Sequence, residues 1–413
     1  MAKFEKVKKF ISSIAPGFFM VGYVIGTGSV TTMAVAGARF GMSLTWALLL
    51  SCLFTAFLMI AISRVTIVSG NTLIYNFRKH IHPALGIFMI LALSVTIISS
   101  IMGVTAIVAE VFQEWTKPIT QNNSGISPVI FSFVLLGVLY LLFWKGKHQT
   151  FIRVLTIMVA LMAFCFILTM IIVIPDAATL AKGLVPRIPN VGEPHMVIAG
   201  MVGTTMAGVC LVSRSTLVKE QGWKLKDLKE ERRDSSISMS LTFLVSAAII
   251  ASAAGTLYIK GIHIDNAVEM LYTLEPLAGD LAISVFAMGI FSAGFSSIFP
   301  NMVLLPWLLN DYNKSEKSLK STFYRVLVFI VAGSGLIIPL FGGKPVAIMI
   351  ASQAVSPLVM PLLIGSLFYL LNNKKVIGQY KPGIIINIAV LLTFIFSIFM
   401  AAISFQGFSK LFI

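Results

Sequence analysis

The sequence predicts an all-α integral membrane protein with eleven transmembrane helices: two inverted five-helix repeats and one extra helix. Three observations carry this expectation. Of 413 residues, 57% are hydrophobic and only 11% are charged, where a soluble domain carries about 25% charged residues. The apolar residues fall in runs of about 18–28 residues, each adequate for a hydrocarbon core of roughly 30 Å. The first and sixth runs are both interrupted at their middles by glycines and hydroxyl residues. Matching interruptions five spans apart point to two repeats of opposite topology with a site between them.

The spans read 12–36, 42–65, 85–112, 128–144, 152–175, 196–218, 236–258, 279–308, 324–341, 345–371 and 383–405. They divide into a first repeat over 11–175, a second over 195–372, and the extra helix over 383–405. A basic tail with Lys3, Lys6, Lys8 and Lys9 leads directly into span 1, which then breaks at Val24-Ile25-Gly26-Thr27-Gly28-Ser29-Val30-Thr31-Thr32. Unwound backbone is tolerated at membrane depth only where it is buried in protein or lines a cavity. Spans 2 to 5 are continuous apolar runs. Thr116–Ser127 and Asp176–Pro194 carry Pro, Asn and Gly with few charges, and Asn122 to Gly125 reads as a turn. Span 6 breaks at Gly200-Met201-Val202-Gly203-Thr204-Thr205-Met206-Ala207-Gly208-Val209-Cys210. A basic loop from Lys219 to Arg233 precedes span 7, and Gly261–Asp280 has room for a short surface helix before span 8.

The net charge of +15 does not indicate nucleic acid, because the basic residues sit in short loops between apolar runs. With the N-terminus inside, only Arg39, Lys117, Lys182, Arg187, Lys260, Lys344 and Lys410 of the 31 Lys and Arg fall outside. That asymmetry predicts a multi-pass plasma-membrane protein with a cytoplasmic N-terminus and an extracellular C-terminus. Cys52, Cys165 and Cys210 lie inside apolar runs without metal-type spacing and read as packing residues. No nucleophile–base pair lies in the spans, so an enzyme is not expected, and no cofactor is implied.

Ala15-Pro16-Gly17-Phe18 opens span 1, and Ala36-Gly37-Ala38-Arg39-Phe40-Gly41 closes it. With them stand Lys219-Glu220 through Glu230-Glu231-Arg232-Arg233 into Ser240-Leu241-Thr242-Phe243, Leu274-Glu275-Pro276-Leu277, Ser292-Ala293-Gly294-Phe295-Ser296-Ser297, and Ala351-Ser352-Gln353-Ala354. In these stretches the sequence resembles the natural resistance-associated macrophage protein (Nramp) family of proton-coupled metal transporters. The resemblance implies the family fold, with spans 1 and 6 unwound at mid-membrane. The sequence departs from it in the chemistry of the site. Where the family has Asp-Pro-Gly-Asn, this chain has Gly26, Thr27, Gly28 and Ser29. Where the family has Met-Pro-His, it has Ala207, Gly208 and Val209. The acidic pair of span 3 falls near Ile97 and Ser100, and Arg214 stands where a second span 6 histidine usually sits. Of the direct metal ligands, a glutamine of span 10 is retained as Gln353.

A dehydrated divalent ion needs oxygen or sulfur ligands with compensating charge, and the central turns of the spans hold no Asp or Glu. The expectation from the residues is therefore a secondary transporter of a small organic anion, most simply a carboxylate, with a proton as the plausible coupling ion. The alternative is a divalent cation transporter of Mn or Mg type with an atypical site. The candidate substrate-binding residues are Gly26, Thr27, Gly28, Ser29, Thr204, Thr205, Ala207, Gly208 and Gln353. Helix N-termini after the breaks supply N–H groups and positive dipole ends. Arg39 and Arg214 are candidates for a gate or for anion attraction. Arg214 otherwise reads as a side chain snorkelling to the interface, and Arg39 as an ordinary end-of-helix charge. His195 is the one histidine near the expected pathway.

Overall fold

The computed structural model describes residues 24–120, 122–145, 149–173, 176–190, 192–278, 282–314 and 321–410, and these are nearly all helical. The first half of the predicted span 1, with Ala15–Phe18, lies outside the described residues, as do His148, Asp280, Lys317 and Lys320. Among the described residues, nine helices are long and apolar enough to cross a membrane, and a shorter apolar helix covers Ala160–Ile172.

The helices that position the site are α1 (Thr27–Phe40), α2 (Thr45–Ser69), α3 (Leu73–His80), α4 (Pro83–Thr116), α5 (Pro128–Lys145) and α6 (Gln149–Ile172). They continue with α7 (Pro194–Thr205), α8 (Gly208–Glu220), α9 (Leu228–Ala253), α10 (Ala282–Asn313) and α11 (Thr322–Gly333), then α12 (Pro345–Ala354), α13 (Ser356–Asn372) and α14 (Ile384–Ser409). α1 is the hub. Every residue of it except Arg39 is buried, and it packs against α4, α7, α9 and α12. α5 and α14 form part of the periphery, with Phe133, Leu141, Ile384 and Ile395 exposed, as lipid-facing side chains should be.

Three discontinuities shape the interior. Helix α1 starts only at Thr27, after a bend at Ile25 and Gly26, and Gly26 is extended with φ −89° and ψ −178°. The break thus lies slightly N-terminal to the predicted Gly26–Ser29 centre, and Thr27 to Ser29 form the first helical turn. In span 6 the helix ends at Thr205, turns at Met206 and Ala207, and resumes at Gly208. The glycines Gly200 and Gly203, read as part of the interruption, are helical. The third, between Ala354 and Ser356 in span 10, is a one-residue interruption of the helical hydrogen bonding at which Val355 keeps helical dihedrals, φ −66° and ψ −35°, and it was not predicted. Its cause is Pro357, which has no N–H to return an i−4 bond to the carbonyl of Gln353.

Two smaller readings fell in loops. The turn at Asn122–Gly125 has Asn123 at φ 50° and Gly125 at φ 70°. Glu269–Leu274 and Glu275–Ala278 supply short helical turns before α10.

Candidate functional site

The breaks of spans 1 and 6 face each other across a cavity of about 60 Å³. That is room for about two water-sized groups at about 30 Å³ each. From the span 1 break come Val24, Gly26, Gly28 and Ser29, from α4 Thr96, Ser100 and Val104, and from span 6 Gly203, Thr204, Ala207, Val209 and Cys210. Ser297 and Asn301 of α10 and Ser352, Gln353 and Ser356 of span 10 complete it. No Asp, Glu or His among the described residues lines the cavity, and no group of three His, Cys, Asp or Glu occurs among them.

The polar lining divides by what its hydroxyls are free to do. Thr96, Ser297 and Ser352 donate to carbonyls of their own helices at 2.7–2.9 Å. Ser29 is buried and its Oγ has no protein partner. The reason is local. The carbonyl four residues back belongs to Ile25 in the bend, so the usual back-bond of a helical serine is not in place. Thr27, Thr31 and Thr32 are likewise buried with unpartnered hydroxyls. Buried polar atoms are paired in the large majority of cases, and of these four Ser29 is the one that lines the cavity, where its hydroxyl is open to a polar guest.

Two close approaches hold the walls together. A Cβ on Gly28 would lie 2.7 Å from Nε2 of Gln353, so the glutamine amide occupies the space that a side chain on residue 28 would take. A Cβ on Gly203 would collide with the backbone carbonyl of Gln353 and lie 3.0 Å from Cδ of Pro357. The third break therefore brings the backbone of Gln353 against α7. On the far wall, Asn301 donates to Oγ of Ser100 at 3.4 Å.

Of the predicted residues, Gly26, Gly28, Ser29, Thr204, Ala207 and Gln353 meet at this cavity. Thr27, Thr205 and Gly208 do not line it. Thr27 faces α10, with its Oγ1 3.6 Å from a Cβ built on Gly294. Thr205 spends its hydroxyl on the carbonyl of Met201 at 2.9 Å. Gly208 donates its N–H to Oγ of Ser356 at 3.2 Å. Thr96, Ser100, Ser297, Asn301, Ser352 and Ser356 were missed, because single hydroxyls and amides inside apolar runs look like ordinary helix residues until the helices are assembled.

Arg214 corrects a second expectation. It does not snorkel to an interface and is fully buried. Its Nη1 lies 2.7 Å from Oδ2 of Asp234 and its Nη2 3.3 Å from Oε1 of Glu231. Its Nε donates to Oγ of Ser63 at 3.2 Å. The guanidinium is thus engaged by two carboxylates and is not a free cation. Arg39 is also paired, to Asp265 at 2.9 Å. It lines a separate vestibule of about 330 Å³ with Glu193, His195, Asp265, Lys344 and Lys410, a mixture of both signs. Thr32 and Ile350 pack against Gly200 between that vestibule and the cavity.

The comparisons with known proteins fit this arrangement. A family model described as natural resistance-associated macrophage protein-like matches residues 17–406. The chain belongs to that family. A natural resistance-associated macrophage protein 2 homolog of Dictyostelium discoideum is 26% identical over 413 residues, covering 96% of this chain and 64% of the relative. The chain thus spans under two thirds of that relative's length. A divalent metal cation transporter of Caldanaerobacter subterraneus is 24% identical, with 91% of this chain and 88% of the relative covered. Among solved structures, the Eremococcus coleocola manganese transporter in complex with an aromatic bis-isothiourea substituted compound superposes with a TM-score of 0.76 at 17% identity, covering 98% of this chain and 87% of that one. A nucleobase-cation-symport-1 family transporter in a closed conformation gives 0.59 at 13%, with 96% and 90% covered. These likenesses establish the fold.

They also overturn the organic-anion expectation for this Nramp-family chain, since the relatives are named as transporters of divalent metal cations. The expectation counted the positive helix ends after the breaks; the structure places a negative end beside them, before the span 6 break. Helix α7 ends at Thr205, with Gly203 and Thr204 at the cavity. The last carbonyls of a helix have no partner one turn on and carry about half a negative charge between them. Among the described residues, no cation lines the cavity to hold an anion against them.

Proposed function

We propose that this Nramp-family chain is a secondary transporter of a divalent metal cation, which it holds between neutral oxygen groups with part of its hydration shell retained. The observation that carries the reading is the unpartnered, buried Oγ of Ser29 in a cavity shared with Gln353, Asn301 and the carbonyl end of α7. Hard divalent cations take oxygen ligands, and Mg²⁺ in particular keeps several waters. Full dehydration without a carboxylate is prohibitive: the idealised cost is of order 20 kcal/mol for a singly charged ion and rises with the square of the charge. A donor set of hydroxyls, amides and helix carbonyls suits a cation that is only partly stripped. We further propose two inverted repeats, 11–175 and 195–372, with 383–405 as an extra helix, and a cytoplasmic N-terminus. The basic loops at one end of the bundle support that orientation.

The test is uptake of Mg²⁺ and Mn²⁺ by the full chain in liposomes, beside labelled acetate as competitor. Saturable metal uptake insensitive to acetate is expected, and its absence for both metals would overturn the reading. Replacing Gln353 by Leu keeps the volume and removes the amide. A hydrogen bond to a charged group contributes about 1.5–3 kcal/mol, so metal uptake efficiency should fall roughly tenfold to a hundredfold. Gly26→Asp should do the reverse for affinity. Position 26 is extended and caps α1, a place where Asp is a preferred residue, so the variant should fold. A carboxylate beside the cavity should lower the half-saturating Mn²⁺ concentration by about tenfold or more and slow release, read as a lower maximal rate.

A further inference from the structure

At the end of the bundle where α2, α8 and α13 finish, two grooves run together on the outer surface. One, of about 620 Å³, is lined by Lys79 and His80 of α3, by Gly365, Phe368, Tyr369 and Asn372 of α13, and by Asn373 and Lys375 just beyond it. The other, of about 470 Å³, is lined by Ile81, Pro361, Leu362, Gly365, Ser366, Tyr369, Phe394 and Ile398. Gly365 and Tyr369 line both, so the polar, basic arm borders directly on the apolar one. We propose that this continuous groove binds an anionic phospholipid of the adjoining leaflet, its phosphate between Lys79 and Lys375 and an acyl chain along Leu362, Phe394 and Ile398.

Each part of the groove fits one part of such a molecule. Lys79 and Lys375 are both exposed, and no acidic residue among the described ones lines either arm. His80 is held below its usual pKa by burial and then by the positive charges of Lys79 and Lys375, which places all three in one field. Basic pockets between transmembrane helices recognise anionic headgroups in this way. The apolar arm is open to the side, with Leu362, Tyr369 and Ile398 exposed. Gly365 lets the groove run deep, with the ring of Phe394 on its floor at 3.1 Å from the position of a Cβ. Asn372 bridges to Asn387 at 3.1 Å and ties α13 to α14 at the basic end of the groove. A soluble anion would use the first arm alone, and a neutral lipid only the second. The joined pair selects a molecule with both.

Native mass spectrometry of the full chain in detergent, titrated with phosphatidylglycerol or phosphatidylcholine of equal chain length, reads this directly. Phosphatidylglycerol should bind as a resolved one-to-one adduct. A juxtamembrane lysine contributes about 1 kcal/mol toward anionic lipid, so Lys79→Gln with Lys375→Gln should weaken that adduct about thirtyfold. Both side chains are exposed, so the double variant should keep its fold, which its unchanged melting temperature would confirm. Lys226→Gln with Lys229→Gln removes equal charge from exposed positions in the first turn of α9 and the helical turn before it and should leave the adduct intact. Equal binding of the two lipids, equal loss in both double variants, or displacement by millimolar inorganic phosphate or glycerol 3-phosphate would each overturn the proposal.

Discussion

Arg214→Leu is expected to cost the protein most of its stability. The guanidinium is fully buried with two equally buried carboxylates, Glu231 and Asp234. It also reaches Ser63 of α2 and Ser235 of α9, and Ser235 in turn donates to Oε1 of Glu231 at 2.8 Å. Trp223 covers it, with the ring centre 5.4 Å from Cζ. One side chain thus ties α8, α9 and α2 together. Removing one partner of a buried ion pair costs about 3–5 kcal/mol, because the remaining charge has neither water nor counter-ion. Here two carboxylates are stranded, against a total stability of about 5–15 kcal/mol for a typical domain. The measurement is the melting temperature of the purified chain in detergent, with yield as a second readout. Arg214→Lys should recover little, since an ammonium cannot replace the planar fork. The variant carrying Arg214→Met, Glu231→Gln and Asp234→Asn together should recover much of the loss. If the single variant melts like the parent, the network is not what holds these helices.

Gly203→Val should abolish transport with a smaller loss of stability. The new side chain would enter the space of the Gln353 backbone carbonyl and the ring of Pro357, and neither can swing aside. Helices α7 and α12 must therefore separate, and with them two walls of a cavity that holds only about 60 Å³. Overpacking of this kind costs about 1–3 kcal/mol. Uptake of Mg²⁺ and Mn²⁺ should fall to the level of empty liposomes while the protein still elutes as a single folded species. Gly200→Ala is the matched control. Its Cβ would meet Cγ2 of Thr32 at 3.1 Å, Cγ2 of Ile350 at 3.2 Å and the Ile350 carbonyl oxygen at 3.4 Å, contacts that need shifts of only a few tenths of an ångström. That variant should retain uptake, and equal loss in both would show that any bulk on α7 is harmful, not the contact with Gln353.

Much of the frame could be read along the chain. The apolar runs place nearly every described helix within a few residues, because in lipid each spanning segment must satisfy its own backbone groups and so announces itself by length alone. The interruptions at Gly26 and at Met206–Ala207 were visible for the same reason, as the rare places where an apolar run stops favouring a helix. Gln353 was visible through its resemblance to a family motif. The break at Ala354–Ser356 was less legible. Pro357 is a sufficient cause, yet proline is common in membrane helices and does not by itself separate a kink from a binding site.

The substrate's charge shows the limit most clearly. Counting residues left a cavity without carboxylates and with positive helix ends, and the inference ran to an anion. The relatives named as divalent metal cation transporters overturned it, and the counting had also missed relations between distant segments: the carbonyl end of α7 at the same cavity, and Arg214 paired with Glu231 and Asp234. The sequence by itself determined the membrane class, the order of the apolar helices and the interruptions of spans 1 and 6, because these depend on local hydrophobicity and backbone propensity. Only the tertiary structure decided which hydroxyls are left unpaired, which charges cancel and which oxygens share one cavity. Those depend on which helices touch, and a helix carries no local record of its partners.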